Sequence, residues 1–160
     1  MNSKPLPNFK YNGARSLIIL QEKYLTEFVE IWLKAKQNNI NLPETDDKDY
    51  ESLESLLIHV LGASGRYIIW ICDKLNLPIP KIAEVPTKEN IQAEAKNYLE
   101  YVLEIWQTPL KDIEEDKFYI PSYTSNWSAE YCIDAMLEHA AMHPIRHTFQ
   151  LEKLIEDQIK

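Results

Sequence analysis

The chain has 160 residues, 45% hydrophobic and 26% charged, with a formal net charge of −8. That length suits one domain with a substantial core. The acidity disfavours a nucleic-acid partner, and three glycines in no nucleotide-loop pattern exclude the common phosphate-binding motifs.

Residues 1–12 hold two prolines and no periodicity, and read as a loosely packed arm. They contain no apolar core, so no signal peptide is expected. From about Ala14 to Gln37, Leu17, Leu20, Tyr24, Phe28, Ile31 and Trp32 recur at helical spacing. Asn38, Asn39, Asn41 and Pro43 end that first helix, and the acidic stretch Glu44 to Asp49 is a loop leading into the next.

A second helix is predicted from about Tyr50 to Leu75, apolar on nearly every side between Leu56 and Cys72 and therefore central. The segment Leu77 to Pro86 carries three prolines and must be extended or turned. Ten such residues span up to roughly 35 Å, enough for a crossover that lets helices two and three run parallel.

Thr87 is the expected N-cap of the third helix, whose buried stripe is Ile91, Ala95, Tyr98, Val102 and Ile105 or Trp106. Lys111 to Asn126 turns from acidic to aromatic; it either covers a pocket mouth or is a packed connector. The fourth helix is predicted from near Trp127 to about Ile155, with Ser125, Asn126 and Ser128 as competing caps. The reading is all-α, one domain of four helices, with no convincing strand. No apolar run approaches the roughly 18 residues that span a bilayer. Cys72 and Cys132 form no CxxC pair and read as buried thiols, so a cytoplasmic protein without membrane contact is expected.

The chemistry lies in the histidines. Of four in the chain, His139, His143 and His147 fall in one run at steps of four. On a helix each step turns by about 40° and rises about 6 Å, so neighbours in the run can share one metal ion. His59, in the second helix, can complete a three-histidine site. Pro144 lies inside the run, lacks the N–H for the Ala140 carbonyl and should kink the helix. The kink shifts the steps, so spacing alone does not choose the pair. We favour His143 and His147, with His139 beside them.

Arg66 and Trp70 follow His59 on its face, with Gly62 and Gly65 nearby where something must come close. An inward Arg66 needs an anionic partner or a wet cavity: it binds a substrate carboxylate, pairs with an internal acid or reaches the bundle end. The plainer reading of the histidines, hydrogen-bonded core residues, requires a partner for every ring nitrogen. Leu56, Met136, Ala140 and Pro144 stand three residues before the histidines, so the Glu-x-x-His of di-iron bundles is missing. His-Glu-x-x-His of zinc proteases is missing too. What remains is a mononuclear site for zinc, nickel, iron or manganese.

With His59 in the second helix, His143-x-x-x-His147 in the last and Gln150 following, the chain resembles the DinB/YfiT-like superfamily of metal-dependent enzymes. Thr148 and Phe149 depart from the family's Arg-Gly, and Pro144 departs from its commonest form; Trp127-Ser128 opening the helix is similar to it. The resemblance implies a four-helix bundle with a long crossover between helices two and three, and His59, His143 and His147 around a divalent metal. It also implies thiol S-transfer with a low-molecular-weight thiol of the bacillithiol kind, and allows a homodimer. On that footing we expect a metal-dependent transferase, or a related hydrolase, acting on a small molecule. Arg66, His139 and Gln150 are the expected substrate-binding or supporting residues. The alternative is a non-catalytic metal-stabilised bundle serving as a binding or stress-response protein.

Overall fold

The computed structural model describes residues 6–159. Four long helices carry the fold: α1 (Asn12–Gln37), α2 (Leu53–Lys74), α3 (Ile91–Trp106) and, after a short α4 (Asp116–Tyr119), α5 (Ile133–Gln158). The protein is all-α apart from an antiparallel hairpin, β1 (Tyr123–Thr124) on β2 (Glu130–Tyr131), with Tyr123 opposite Tyr131.

Local chemistry sets the helix ends. Asn39 and Asn76 take the left-handed conformation just past α1 and α2 (φ 51° and 53°). Their successors, Ile40 and Leu77, donate to the carbonyls of Ala35 and Cys72 at 3.1 and 2.8 Å, closing both helices in the same way. Ser52 caps α2 by accepting from the Ser55 amide at 3.1 Å.

Side-chain bonds between elements give their directions. Tyr11, at the start of α1, donates to Asp134 at the start of α5, while Gln158, at the end of α5, pairs with the Asn41 backbone just past α1. Trp32, late in α1, donates to the Leu53 carbonyl that opens α2. Lys88 pairs with Glu51 ahead of α2, and Trp106, at the far end of α3, donates to Ser64 in the middle of α2. So α1 and α5 point one way, and α2 and α3 the other.

Residues 75–90 return along α2. Ile82 lies against Gly65 and Val85 against Gly62; a Cβ on those glycines would stand 3.2 and 3.0 Å from them. Tyr98 and Tyr101 of α3 fasten this return by donating to the carbonyls of Ala83 and Lys81. The glycines therefore make room for the returning chain.

Several expectations are corrected. The core face of α1 is Ile18, Gln21, Leu25, Phe28 and Trp32; Phe28 and Trp32 are as predicted, but the first half of the face lies one residue beyond Leu17, Leu20 and Tyr24, and Leu20 is exposed. The reason is Gln21, a buried polar residue that an apolar pattern passes over. Residues 1–5 of the expected loose arm lie outside the described residues, but Phe9 is buried and the Lys10 amide donates to the Lys111 carbonyl. The third helix starts at Ile91, after a turn closed by the Thr87 carbonyl. The last helix starts at Ile133, capped by the Cys132 sulfur and not by Ser125, Asn126 or Ser128. Trp127-Ser128 sits instead in the hairpin loop, where Ser128 has φ 65°. Cys72 is buried, but Cys132 only partly so. By length and composition α2 is apolar enough to cross a membrane, contrary to the sequence reading; most of it is buried in the core.

One buried polar node ties three helices together. Ser64 Oγ on α2 accepts from Gln21 Nε2 of α1 at 2.9 Å and from Trp106 Nε1 of α3 at 3.2 Å. Ser64→Ala strands both buried donors, so we expect a loss of about 2–4 kcal/mol in urea unfolding. A loss within experimental error would show that the node is dispensable.

Candidate metal centre

His59 projects from α2, and His143 and His147 from consecutive turns of α5, which runs unbroken through Pro144. The three rings meet. His143 Nε2 lies 3.0 Å from His59 Nε2 and 3.3 Å from His147 Nε2. One ring nitrogen from each falls within 4.8 Å of the others, close enough to hold one metal ion. Two imidazole nitrogens bound to one ion at roughly 2.0–2.1 Å stand about 2.9 Å apart at a right angle and about 3.4 Å apart at the tetrahedral angle.

The outer nitrogens fix which lone pairs face inward. His59 Nδ1 is 2.7 Å from the Asp49 carboxylate, which accepts only. His147 Nδ1 is 3.0 Å from Gln150 Oε1, also an acceptor, and 3.1 Å from the Tyr50 hydroxyl. Both rings thus carry Nδ1–H when neutral and turn unprotonated Nε2 atoms toward His143. One proton on His143 Nε2 can satisfy only one of them well. A cation resolves the conflict, since it accepts all three lone pairs at once. The donor set therefore fits a divalent metal.

Asp49 and Tyr50 were not singled out from the sequence. They are placed by a short 3-10 turn (Lys48–Tyr50), where the Asp47 side chain accepts from the Asp49 amide at 3.0 Å. The acidic loop thus supplies the carboxylate that orients His59. A carboxylate close before a histidine-bearing helix is the only sequence signal that could have pointed to it.

The site's walls are aromatic. The Phe28 ring faces His147 edge-on at 6.3 Å, and the Tyr67 ring faces His143 at 5.7 Å. His143 and His147 are each only 6% exposed. Burial, together with the neighbouring histidines and Arg146, pushes the His143 pKa down to about 2. Burial and the nearby His59 bring His147 down to about 4, although its bond to Gln150 pulls upward.

The remaining predicted residues lie around this cluster. His139 stays outside it: its Nε2 is 3.2 Å from the Tyr67 hydroxyl and its ring stacks on Trp127 at 5.3 Å. Burial lowers its pKa and raises that of Tyr67 to about 12. Gln150 is exposed and bonded to His147. Arg66 is exposed, correcting the inward placement read from the helix face. Its long stem carries the guanidinium out to water, as an unpaired charge requires.

A cavity of about 310 Å³ opens beside the cluster, with His59 and Arg66 on one wall and Asn126 and Trp127 of the hairpin on the other. Of residues 111–126, Asn126 alone lines this cavity, and the segment packs as a connector elsewhere. Phe118 is buried in the core, while the hairpin end borders the cavity.

No family model, curated protein or solved structure matches the chain.

Two predictions follow from the rings themselves. Above about pH 6.5, the ordinary imidazole pKa, both folded and unfolded chains keep His143 and His147 neutral. Below it the unfolded chain takes up protons that the folded one refuses, so stability falls with pH, by up to about 1.4 kcal/mol per pH unit per ring. The contribution of His147 is exhausted near pH 4 and that of His143 near 2. Urea midpoints of metal-free protein between neutral pH and about pH 5 should fall accordingly, and less steeply in His143→Gln. The second concerns affinity. Untagged protein should take up one equivalent of zinc, strongly weakened by His59→Ala, His143→Ala or His147→Ala but retained in His139→Ala. Asp49→Asn should weaken binding about 10–100-fold by disorienting His59. Elemental analysis and competition with a chelator read both; uptake unaffected by the three substitutions would disprove the site.

Proposed function

We propose that this protein is a divalent-metal-dependent enzyme of the DinB/YfiT type, a four-helix bundle whose centre is His59, His143 and His147. The observation that carries the proposal is the convergence of three Nε2 atoms beside a cavity. Three protein nitrogens leave coordination positions open, as catalytic sites do and closed structural sites do not. The up-down-down-up order of the long helices and the returning 75–90 segment fit the same reading.

Within that class we assign thiol S-transfer to a small electrophile. His59, His143 and His147 would hold the divalent ion, which when bound would favour the deprotonated, nucleophilic form of a small thiol. The reaction forms a bond from that sulfur to an electrophilic carbon, the leaving group departs with its electron pair, and the thiol proton passes to solvent. The chain's residues orient and enclose. Asp49 and Gln150 hold His59 and His147 in the required tautomers. Tyr67 and Trp127 form an apolar wall that keeps water from the nucleophile. Among the described residues that line the cavity there is no carboxylate. Attack by water, a poorer nucleophile than a thiolate, gains from a general base, and His139, the nearest imidazole outside the cluster, is engaged with Tyr67. A thiol is the stronger acid and its thiolate the stronger nucleophile, so sulfur transfer depends less on such a base, which favours it over hydrolysis. Zinc suits the nitrogen donors and a thiol partner; nickel, iron and manganese belong to the same set. We place the enzyme in the cytoplasm, where a free thiol persists.

Cobalt(II) substituted for zinc tests the assignment. Adding a small thiol should produce a sulfur-to-cobalt charge-transfer band. Thiol consumption with an alkylating electrophile should depend on the metal and fall at least about 100-fold in His143→Ala. A cobalt spectrum that does not respond to thiol would rule out transfer at the metal. A fourth protein ligand closing the site would favour a non-catalytic, metal-stabilised protein instead.

A further inference from the structure

The chain is acidic, yet two of its three arginines lie beside the histidines. There are three in all, Arg15, Arg66 and Arg146, and the net charge is −8. The ion pairs among the described residues use lysine or histidine as the cation, never arginine. Arg66 and Arg146 are both exposed and have no hydrogen-bond or ion-pair partner among the described residues. Arg146 adds positive potential at His139, His143, Tyr50 and Tyr67. Arg66 acts on Tyr67 as well.

Arg66 leaves α2 two turns after His59 but does not point away from it. Its Nη1 would stand 2.9 Å from a Cβ at Gly62, so the guanidinium folds back over that glycine. Gly62 is only three residues, or about 4.5 Å of rise, beyond His59. The charged fork and the metal-facing histidine therefore border the same cavity, separated by about one helical turn. Tyr67, Trp70, Trp127 and Met136 supply the apolar surface of that cavity. Its volume, about 310 Å³, suits a small molecule.

We propose that this cavity binds a small organic carboxylate whose carboxylate is held by Arg66 and whose metal-binding donor, a few bonds away, reaches the histidine cluster. The inference deepens the metal-enzyme reading, resting on it for the donor end alone. A guanidinium presents parallel N–H groups that match a carboxylate in two hydrogen bonds, which a lysine cannot do. Aromatic walls take the apolar body, and the positive potential of two unpaired arginines draws the anion into a protein that otherwise repels it. For a thiol substrate the implied class is a mercapto acid. A cationic ligand, the other species that aromatic walls can hold, is repelled by the like charge of Arg66.

The carboxylate end can be tested on the full chain with and without zinc. The probes are 3-phenylpropionate, its neutral amide and phenethylammonium, followed by tryptophan fluorescence and calorimetry. The acid should bind at least about tenfold more tightly than the amide. Arg66→Gln should abolish that preference, Arg66→Lys should retain part of it, and neither should change zinc stoichiometry or the melting temperature. On zinc-loaded protein, 3-mercaptopropionate should bind more tightly than 1-propanethiol, and Arg66→Gln should equalise the two. Equal binding of acid and amide, a preference that survives Arg66→Gln, preference for the ammonium, or no binding of any probe up to about 20 mM would each overturn the proposal. The metal-free arm reads the carboxylate end alone, so a failure of zinc binding is distinguishable from a failure of Arg66.

Discussion

Two imidazole nitrogens aimed at a third across about 3 Å are an unfavourable arrangement unless each ring is held in place and something accepts the lone pairs. Asp49 fixes one outer ring and Gln150 the other, each through Nδ1. His143 stands between them, deeply buried, and its low pKa follows from burial among neighbouring rings. The helices must deliver these rings to one point against that repulsion. The arrangement of the rest of the molecule can be traced to this requirement.

Consecutive turns of α5 supply two rings at a spacing the helix itself determines, but the third must come from α2 at a matching height. That height depends on how α2 sits between α1 and α3. Ser64 contacts both through hydrogen bonds, and Gly62 and Gly65 let the returning chain lie close against the same helix. Most of α2 is therefore covered, and the exposed break in its middle is Arg66, beside the cavity. The helix that is most apolar and most buried is thus also the one that carries the cavity's charged wall. Packing covers most of it and, short of the exposed Asp73 at its end, leaves Arg66 as the exposed charge beside the cavity.

The histidine spacing and the missing glutamates were legible in the sequence because both are properties of one helix face. The long helices were legible for the same reason, and the prolines of 77–86 announced a segment that could not be helical. What could not be read depended on contacts between distant segments. Asp49 and Tyr50 lie in an acidic stretch whose charge suggested only a helix start, and they matter because a turn swings them onto two rings. Trp127 and Ser128 look like a helix opening, but the Tyr123–Tyr131 pairing takes them into a hairpin. Gln21 was invisible to an apolar pattern, since its burial is secured by Ser64. The helical wheel placed Arg66 on the face of His59, and both do border one cavity, but Arg66 is exposed there. It could not say that the side chain would fold over Gly62 with its charge in water.

The low basicity of the buried rings bears on how the centre meets a metal. An ordinary exposed imidazole is partly protonated near pH 6, so metal binding there must displace protons. His143 and His147 are already neutral well below that pH, because folding has buried them beside one another. The cost of keeping them unprotonated is carried by the fold and appears as lost stability in acid. For these two rings the metal need only accept lone pairs that are free and pointing inward. A site prepared in this way gains little from rearrangement on binding. Its selectivity among cations then rests on the donor geometry and on what occupies the open positions beside the cavity.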